Sequence, residues 1–247
     1  MDDRKKFNRN SIKSSLKLGK SRSILKKSIK FLCDLDKFNY SYLWTWGGVP
    51  IIQLPSEILV NQEIIFRTKP NIIIETGVAR GGSLLFYSSL LRFMYKNYKV
   101  IGIDNDLRPY NRKSIFKSSL SKNVSIVNGS SIDIKTINKV KKKISKKDKV
   151  MVILDSNHSK KHVLEECRSY SKIVSKHCYL VVADTILGYF NKKQTPKKRS
   201  HIWYKGNEPY SAVKEFLKIN KNFKIDEKLN GKLIFSSSFN GYLRRLN

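Results

Sequence analysis

The sequence reads Ile-Ile-Ile-Glu-Thr-Gly-Val-Ala-Arg-Gly-Gly-Ser over residues 72–83, an apolar run that ends in an acid and enters a glycine-rich turn. A continuous apolar run is typical of a strand buried on both faces, and glycines let a turn pass close to a ligand. The spacing Gly-x-x-x-Gly-Gly differs from the Gly-x-Gly-x-x-Gly of dinucleotide-binding proteins. By itself the stretch predicts a tight turn between a strand and a helix, with or without a ligand.

Short apolar runs alternate with helix-length segments on both sides of this turn. They predict strands at 72–75, 100–104, 124–127, 150–155, 179–184, 223–225 and 232–236. Helices are predicted near 82–96, 107–119, 131–144 and 159–176, and upstream at 56–67 with Ser56 as the N-cap. This alternation predicts an α/β fold with a doubly wound, mostly parallel, seven-stranded sheet.

Polar residues follow each of the first five predicted strands. They are Glu75, Asp104, the pair Ser130 and Ser131, the run from Asp155 to His158, and Asp184. Ligands of such sheets bind at the carboxyl ends of the strands, and an acid at the second strand can accept hydrogen bonds from both ribose hydroxyls. A helix cap would explain Asp104 alone, but five such groups together indicate a nucleoside-binding edge.

The composition is strongly basic, with 50 Lys and Arg against 19 Asp and Glu and a formal net charge of +31. A polyanionic partner such as nucleic acid, a membrane surface or an anionic glycan would fit this charge. Of the 50 basic residues 38 are lysine, whereas nucleic-acid readers favour the planar fork of arginine. We therefore favour lysines scattered over solvated faces by codon bias, and a nucleic-acid partner stays the weaker alternative.

The chain divides into a basic N-terminal extension, residues 1–43, and one domain, residues 44–247. Residues 1–30 carry 11 basic residues against Asp2 and Asp3, which is compatible with a frayed helix, with disorder or with peripheral membrane contact. The polar loop 190–207 has the length of a lid. Three cysteines without metal-ligand spacing, and no predicted signal peptide or membrane span, favour a cytoplasmic protein; a homo-oligomer is compatible with the sequence.

Several motifs together resemble the so-called cephalosporin hydroxylase family. The resemblance covers about residues 44 to 245 and includes residues 73–83, Gly102-Ile103-Asp104, Gly129-Ser130-Ser131, the run from Leu154 to His158, and Asn240-Gly241-Tyr242-Leu243. Despite the name, it implies an S-adenosylmethionine-dependent O-methyltransferase with a Rossmann-type fold of the class I methyltransferases. Family members act on antibiotic intermediates and sugars, and many are linked to surface-polysaccharide synthesis. A small-molecule or glycan acceptor is therefore expected.

The resemblance also implies site residues. The cofactor would be held by Glu75, Gly77, Ala79, Gly81, Gly82, Ser83, Asp104, Ser130, Ser131 and Asp155. Metal-binding members place one carboxylate after the fourth strand and a Glu-Asp pair after the fifth. Asp155 and Asp184 match two of these ligands, but Ala183 stands at the Glu position. Magnesium prefers oxygen ligands, so we expect at most weak binding of Mg²⁺.

Methyl transfer to a hydroxyl requires an aligned acceptor and removal of its proton, for which the candidates are Asp155, His158 and Asp184. A histidine suits a base near neutral pH, although His158 would equally suit a structural cap on the next helix. An iron oxygenase would need two histidines and a carboxylate, commonly with a His-x-Asp/Glu pair, which the sequence lacks. An RNA methyltransferase remains the alternative, without a recognisable RNA module or an Asn/Asp-Pro-Pro-aromatic motif.

Overall fold

Nine strands are present in the computed structural model, which describes residues 2–191, 193–194 and 203–247. A short hairpin pairs β1 (Thr45–Trp46) with β2 (Val49–Pro50). The main sheet contains β3 (Ile72–Thr76), β4 (Lys99–Asp104), β5 (Val124–Asn128), β6 (Val150–Leu154), β7 (Tyr179–Val182), β8 (Phe223–Ile225) and β9 (Tyr242–Arg245).

The main sheet has the order β5-β4-β3-β6-β7-β9-β8, and the pairs among its first five strands are all parallel. Strand β9 runs antiparallel between β7 and β8. The predicted seven-stranded, mostly parallel, doubly wound sheet is confirmed. The order of the strands reverses at β3, because β4 lies on one side of it and β6 on the other, so the carboxyl ends of β3 and β6 form the switch point where such sheets bind ligands.

One predicted strand is wrong. Residues 232–236 form consecutive turns, and the seventh strand is Tyr242–Arg245. The apolar run was misleading because its backbone is satisfied by side chains instead of by a ladder: the Ser28 hydroxyl donates to the Ile234 carbonyl at 2.6 Å, and the Ser56 hydroxyl donates to the Phe235 carbonyl. Side chains on helices thus hold this segment as a loop.

Helices cover both faces of the sheet. In chain order they are α1 (Asp3–Gly19), α2 (Arg22–Asp36), α3 (Pro55–Thr68), α4 (Gly82–Met94), α5 (Pro109–Lys117), α6 (Ile134–Lys141), α7 (Lys160–Tyr170), α8 (Pro209–Ile219) and α9 (Glu227–Asn230). Ile73 of β3 packs with α3 and α4, whereas Ile72 and Ile74 pack with α6, α7 and α8. Strand β3 is therefore buried on both faces, as its unbroken apolar run predicted.

Helix α3 begins earlier than predicted. Pro55 is its first residue, because the fixed φ of proline suits that position, and Leu54 occupies the N-cap. The prediction of Ser56 as the N-cap is wrong, since its hydroxyl donates to Phe235. The Glu57 carboxylate accepts the Leu54 backbone N–H at 3.0 Å instead, which satisfies one free donor of the helix start.

The N-terminal extension forms two helices packed on the domain. Ser15 of α1 is buried and donates its hydroxyl to the Lys228 carbonyl at 2.7 Å, and Ile29 of α2 is buried in the core. The extension is therefore helical over Asp3–Gly19 and Arg22–Asp36, as one of the alternatives from the sequence predicted. No helix in the described part of the chain is long and apolar enough to cross a membrane.

Candidate active site

A cavity of about 960 Å³ opens at the carboxyl ends of β3, β6 and β7. Six residues predicted for the site line it: Gly77, Ala79, Ser83, Asp155, His158 and Asp184. The parallel sheet brings them together because each follows a strand that ends at this edge. Its volume falls within the range of small-molecule sites.

The glycine-rich turn lies directly against the end of β6. The Gly77 N–H donates to the Ile103 carbonyl at 2.8 Å, and the residue has φ +82°, which favours glycine. A Cβ at Gly77 would lie 2.0 Å from the backbone oxygen of Asp155. Gly77 therefore sets the close approach of the turn to Asp155, and any larger side chain would displace the β6 end as well as a ligand.

Gly81 and Gly82 position helix α4 rather than line the cavity. Gly81 is the N-cap with φ +86°, and a Cβ there would overlap the Ile115 side chain at 2.2 Å. A Cβ at Gly82 would lie 2.6 Å from the Val49 carbonyl oxygen. Both glycines let the start of α4 sit tightly between α5 and β2.

Asp104 holds the glycine-rich turn from the end of β4. Its Oδ2 accepts the backbone N–H groups of Val78 at 2.9 Å and Ala79 at 3.2 Å, and its Oδ1 accepts that of Asp106 at 2.8 Å. The carboxylate does not cap α5, whose N-cap is Arg108. A carboxylate oxygen accepts more than one hydrogen bond, so Asp104 retains capacity for ribose hydroxyls.

Glu75 lies beneath the turn and outside the cavity. It is 1% exposed, and the Ser83 hydroxyl donates to its Oε2 at 2.6 Å. Burial, reinforced by the nearby Asp104 charge and opposed by hydrogen bonds from Ser83 and Tyr87, raises the pKa of Glu75 from 4.5 to about 8. At neutral pH this carboxyl is therefore mostly protonated and joins β3 to α4.

Asp155, His158 and Asp184 form a compact cluster on the cavity wall, with one ligand atom of each lying within 4.8 Å of the others. His158 Nε2 lies 3.2 Å from Asp184 Oδ2 and 4.0 Å from Asp155 Oδ1. Asp184 has the left-handed φ of +54°, unusual outside glycine, at the junction of β7 with a short 3₁₀ helix (Thr185–Tyr189). Burial and the adjacent Asp184 charge raise the pKa of Asp155 well above its ordinary value.

The structure excludes one of the two roles considered for His158, that of a helix cap. Helix α7 begins at Lys160 with Ser159 as its N-cap, so His158 does not cap it. Its ring packs edge-on against Trp203, with centroids 4.6 Å apart, and its Nε2 faces the two carboxylates. This arrangement can hold a proton or a cation beside the cavity.

The same residues permit a test of fit for Mg²⁺. Two carboxylates offer the oxygen ligands that this ion prefers, and an imidazole adds a nitrogen better suited to transition metals. Ala183 lines the cavity next to Asp184 but offers no ligand atom. The donor set therefore fits a weakly held Mg²⁺ that keeps several waters.

Ser130 and Ser131 lie outside this cavity. Ser131 is buried, its Oγ lies 2.9 Å from His162 Nε2, and its carbonyl accepts the Tyr170 hydroxyl at 2.9 Å. Ser156 shares this network by donating to the fully buried Glu166 at 2.7 Å. The network ties the loop after β5 to α7, and Ser130 lies half-buried on the same loop.

Sequence reasoning missed a second polar wall of the cavity. Glu57 Oε1 accepts hydrogen bonds from Ser236, Ser237 and Ser238 at 2.7 to 2.9 Å. The Tyr242 hydroxyl donates to Asn61 at 2.9 Å, and the Gln53 Oε1, in a side chain only 8% exposed, has no hydrogen-bond partner in the described residues. The Ser-Ser-Ser run and the buried polar positions of α3 were the available signals.

The sheet order, the glycine-rich turn and the polar strand ends define the Rossmann-type fold of the class I methyltransferases. The chain belongs to the family described as "Rhamnosyl O-methyltransferase/CmcI", which matches residues 38–246. The family recognised from the sequence is confirmed, and with it the enzyme class, a methyltransferase that uses S-adenosylmethionine.

Curated relatives carry the name rhamnosyl O-methyltransferase. The protein of Mycobacterium tuberculosis strain H37Rv is 27% identical over 218 residues, covering 86% of this chain and 84% of its own length. That of Mycobacterium leprae is 28% identical over 222 residues, covering 86% and 89%. None of the relatives found is named as an RNA methyltransferase, so the RNA alternative gains no support.

Solved structures agree with the fold. A structure of CmcI with Mg and SAM has a TM-score of 0.58 at 19% identity, covering 83% of this chain and 78% of that one. The O-methyltransferase TomG from Streptomyces achromogenes, in complex with SAM, has a TM-score of 0.54 at 14% identity, covering 92% and 90%. At these identities the likeness concerns the fold alone.

Proposed function

We propose that this chain transfers the methyl group of S-adenosylmethionine to a hydroxyl of a sugar or glycan. The observation that carries the proposal is the cluster of Asp155, His158 and Asp184 in a cavity that also contains the glycine-rich turn. The rhamnosyl O-methyltransferase name of the relatives supports a sugar as the acceptor.

The cofactor lies, in this proposal, over the glycine-rich turn. Gly77 and Ala79 allow close approach, Asp104 accepts the ribose hydroxyls, and the loop of Ser130 and Ser131 borders the adenine. When bound, S-adenosylmethionine supplies an activated methyl group on a sulfonium. Ser83 and Asp155, which line the same cavity, would complete the cofactor site.

The chain's own part in the reaction is to orient the acceptor and take its proton. The sugar hydroxyl would lose its proton to the His158 imidazole, and the Asp184 carboxylate, 3.2 Å from Nε2, would stabilise the resulting imidazolium. Asp155 and Asp184 would hold Mg²⁺ where it is present, and a cation there would acidify the same hydroxyl. On the second polar wall, Gln53 Oε1, which has no partner among the described residues, would be available to another sugar hydroxyl.

The proton-transfer role is tested with His158→Gln, and His162→Gln is the matched control because it lies one helical turn further on and faces Ser131. With labelled S-adenosylmethionine and a panel of rhamnosides and nucleotide sugars, His158→Gln should lower kcat by about 100-fold, the usual contribution of acid–base catalysis. Its affinity for S-adenosylhomocysteine should stay unchanged. Equal losses in the two variants, or methyl incorporation into RNA only, would refute the proposal.

The cofactor site is tested with Asp104→Ala against Asp106→Ala, an exposed acid two residues further on. Loss of the ribose acceptor should weaken binding of S-adenosylhomocysteine by about 1–3 kcal/mol in the first variant only. Calorimetry measures this directly. An unchanged affinity in Asp104→Ala would remove Asp104 from the cofactor site.

A further inference from the structure

Helix α2 and the turn after it expose a row of large apolar side chains. Ile24 and Phe31, seven residues apart on one side of α2, are 43% and 55% exposed. Phe38 and Leu43, just beyond the helix, are 75% and 65% exposed. We call these four residues the apolar rim. Large apolar side chains exposed at successive positions of one helix and the turn after it are a candidate interaction surface, because exposed apolar area has no stabilising role in the free protein.

Exposed basic residues accompany the apolar rim along α2, and one of them, Lys37, is paired with Asp34. The exposed basic residues of α2 and its end are Arg22, Lys26, Lys27, Lys30 and Lys37. Over residues 1–43 the sequence has 12 basic residues against 4 acidic ones. Large apolar side chains beside lysines are characteristic of helices that lie in the plane of a membrane interface.

The apolar rim borders the cavity of the candidate active site. Leu32, Leu35, Asn39 and Tyr42, which alternate with the rim residues along the chain, line the same cavity as His158. Helices α1 and α2 both precede residue 38, where the family match begins. Phe38 and Leu43 lie within the matched residues, so the apolar rim spans the start of the family match, beside the cavity.

We propose that the apolar rim and the exposed basic residues of α2 dock the protein on an anionic lipid bilayer, so that the cavity faces sugars attached to membrane lipids. A second copy of this chain is a poorer occupant, because it would bring the same basic segment against itself in a protein of net charge +31. Nucleic acid is also poorer, because only Phe31 and Phe38 of the four rim side chains could stack on bases, whereas Ile24 and Leu43 are aliphatic.

The proposal rests on the proposed function only for the identity of the acceptor. Docking is therefore measured on the full chain without cofactor or acceptor, by sedimentation with vesicles. One set contains phosphatidylcholine alone, and the other contains equimolar phosphatidylcholine and phosphatidylglycerol. We expect binding to the second set only, weakened at least about ten-fold by molar salt because surface potentials are screened.

Variants separate insertion from simple charge attraction. The double variant Phe38→Ser with Leu43→Ser removes two rim side chains that are mostly exposed, so the fold should be retained, as a melting curve verifies. It should lower the partition coefficient by roughly ten-fold or more, since apolar area drives insertion. Phe93→Ser is the matched control, because Phe93 is 84% exposed near the far end of α4.

A fluorescence measurement complements the loss of binding expected in the double variant. In Phe38→Trp the emission should shift to shorter wavelength with anionic vesicles, because the indole leaves water. No binding to anionic vesicles, or binding that the double variant leaves intact, would overturn the proposal. So would a dimer that the double variant converts to a monomer, or RNA binding that depends on the same two side chains. Vesicle binding without any sugar methylation would leave the docking surface standing and reject the proposed function.

Discussion

Glu75 illustrates how one residue can match a family motif and still act at a distance from the chemistry. It was predicted among the cofactor-binding residues, and the structure places it beneath the turn, bonded to Ser83 at 2.6 Å. Residue identity along the motif could be read from the sequence, whereas side-chain direction could not. The same limit applies to Ser131, which faces α7.

The raised pKa of Glu75 makes stability depend on pH. Between its ordinary pKa of 4.5 and about 8, the folded carboxyl keeps a proton that the unfolded chain has lost. The free energy of unfolding should therefore fall as pH rises through this window, by up to about 1.4 kcal/mol per pH unit. Glu75→Gln does not titrate and should lose this component of the slope. Urea unfolding of the original protein and of Glu75→Gln at pH 5.5 and 7.5 measures this dependence. An equal change in the free energy of unfolding in the two proteins would contradict the assignment.

Ala183 offers a constructive test of metal binding. Ala183→Glu adds an oxygen ligand beside Asp184 and should tighten Mg²⁺ binding, with Ala183→Gln as the uncharged control of similar size. Calorimetry with Mg²⁺ alone gives a readout independent of activity. The original chain should bind only at millimolar levels. Tight stoichiometric binding by the original chain would mean that another group completes the site.

At the scale of elements, periodicity predicted the strands that are buried on both faces. Strands β3, β4 and β6 were found within one or two residues because unbroken apolar runs leave few alternatives. The error at residues 232–236 has a physical cause, since that run buries Leu233 while Ser28 and Ser56 satisfy its carbonyls. Contacts between segments so distant in sequence leave no local pattern.

Glu57 makes a contact between distant elements that the sequence patterns did not predict. Its carboxylate joins the start of α3 to residues 236–238 through several hydrogen bonds. Glu57→Ala leaves those donors buried without an acceptor and should lower the free energy of unfolding by about 3 kcal/mol or more. Glu63→Ala, on the same helix but in an exposed pair with Lys232, should cost at most about 1 kcal/mol. Chemical denaturation that gives equal losses would contradict this role.

At the scale of the whole molecule, the two helices of the N-terminal extension have different places. Helix α1 meets the domain through Ser15 and α9, whereas the end of α2 reaches the cavity. Deleting residues 1–20 should leave turnover of a soluble sugar within about two-fold, because the deleted residues touch neither cavity nor central sheet. Deleting residues 1–36 should raise KM, because Leu32 and Leu35 leave the cavity wall. Steady-state kinetics of both truncated proteins test these expectations. A large loss of turnover on deletion of residues 1–20 would mean that α1 supports the site.

The left-handed backbone conformation of Asp184 should lower the stability of the protein at a residue that its activity requires. A non-glycine residue in this conformation costs roughly 1 kcal/mol, and here the Asp184 charge also raises the pKa of the buried Asp155 beside it. Asn tolerates the conformation better and carries no charge, so Asp184→Asn should raise the melting temperature by a few degrees while methyl transfer falls. Scanning calorimetry beside an activity assay would reveal the trade-off, and a lower melting temperature would contradict it. Variants of this protein selected for thermal stability alone should therefore accumulate substitutions at Asp184 and lose methyl transfer.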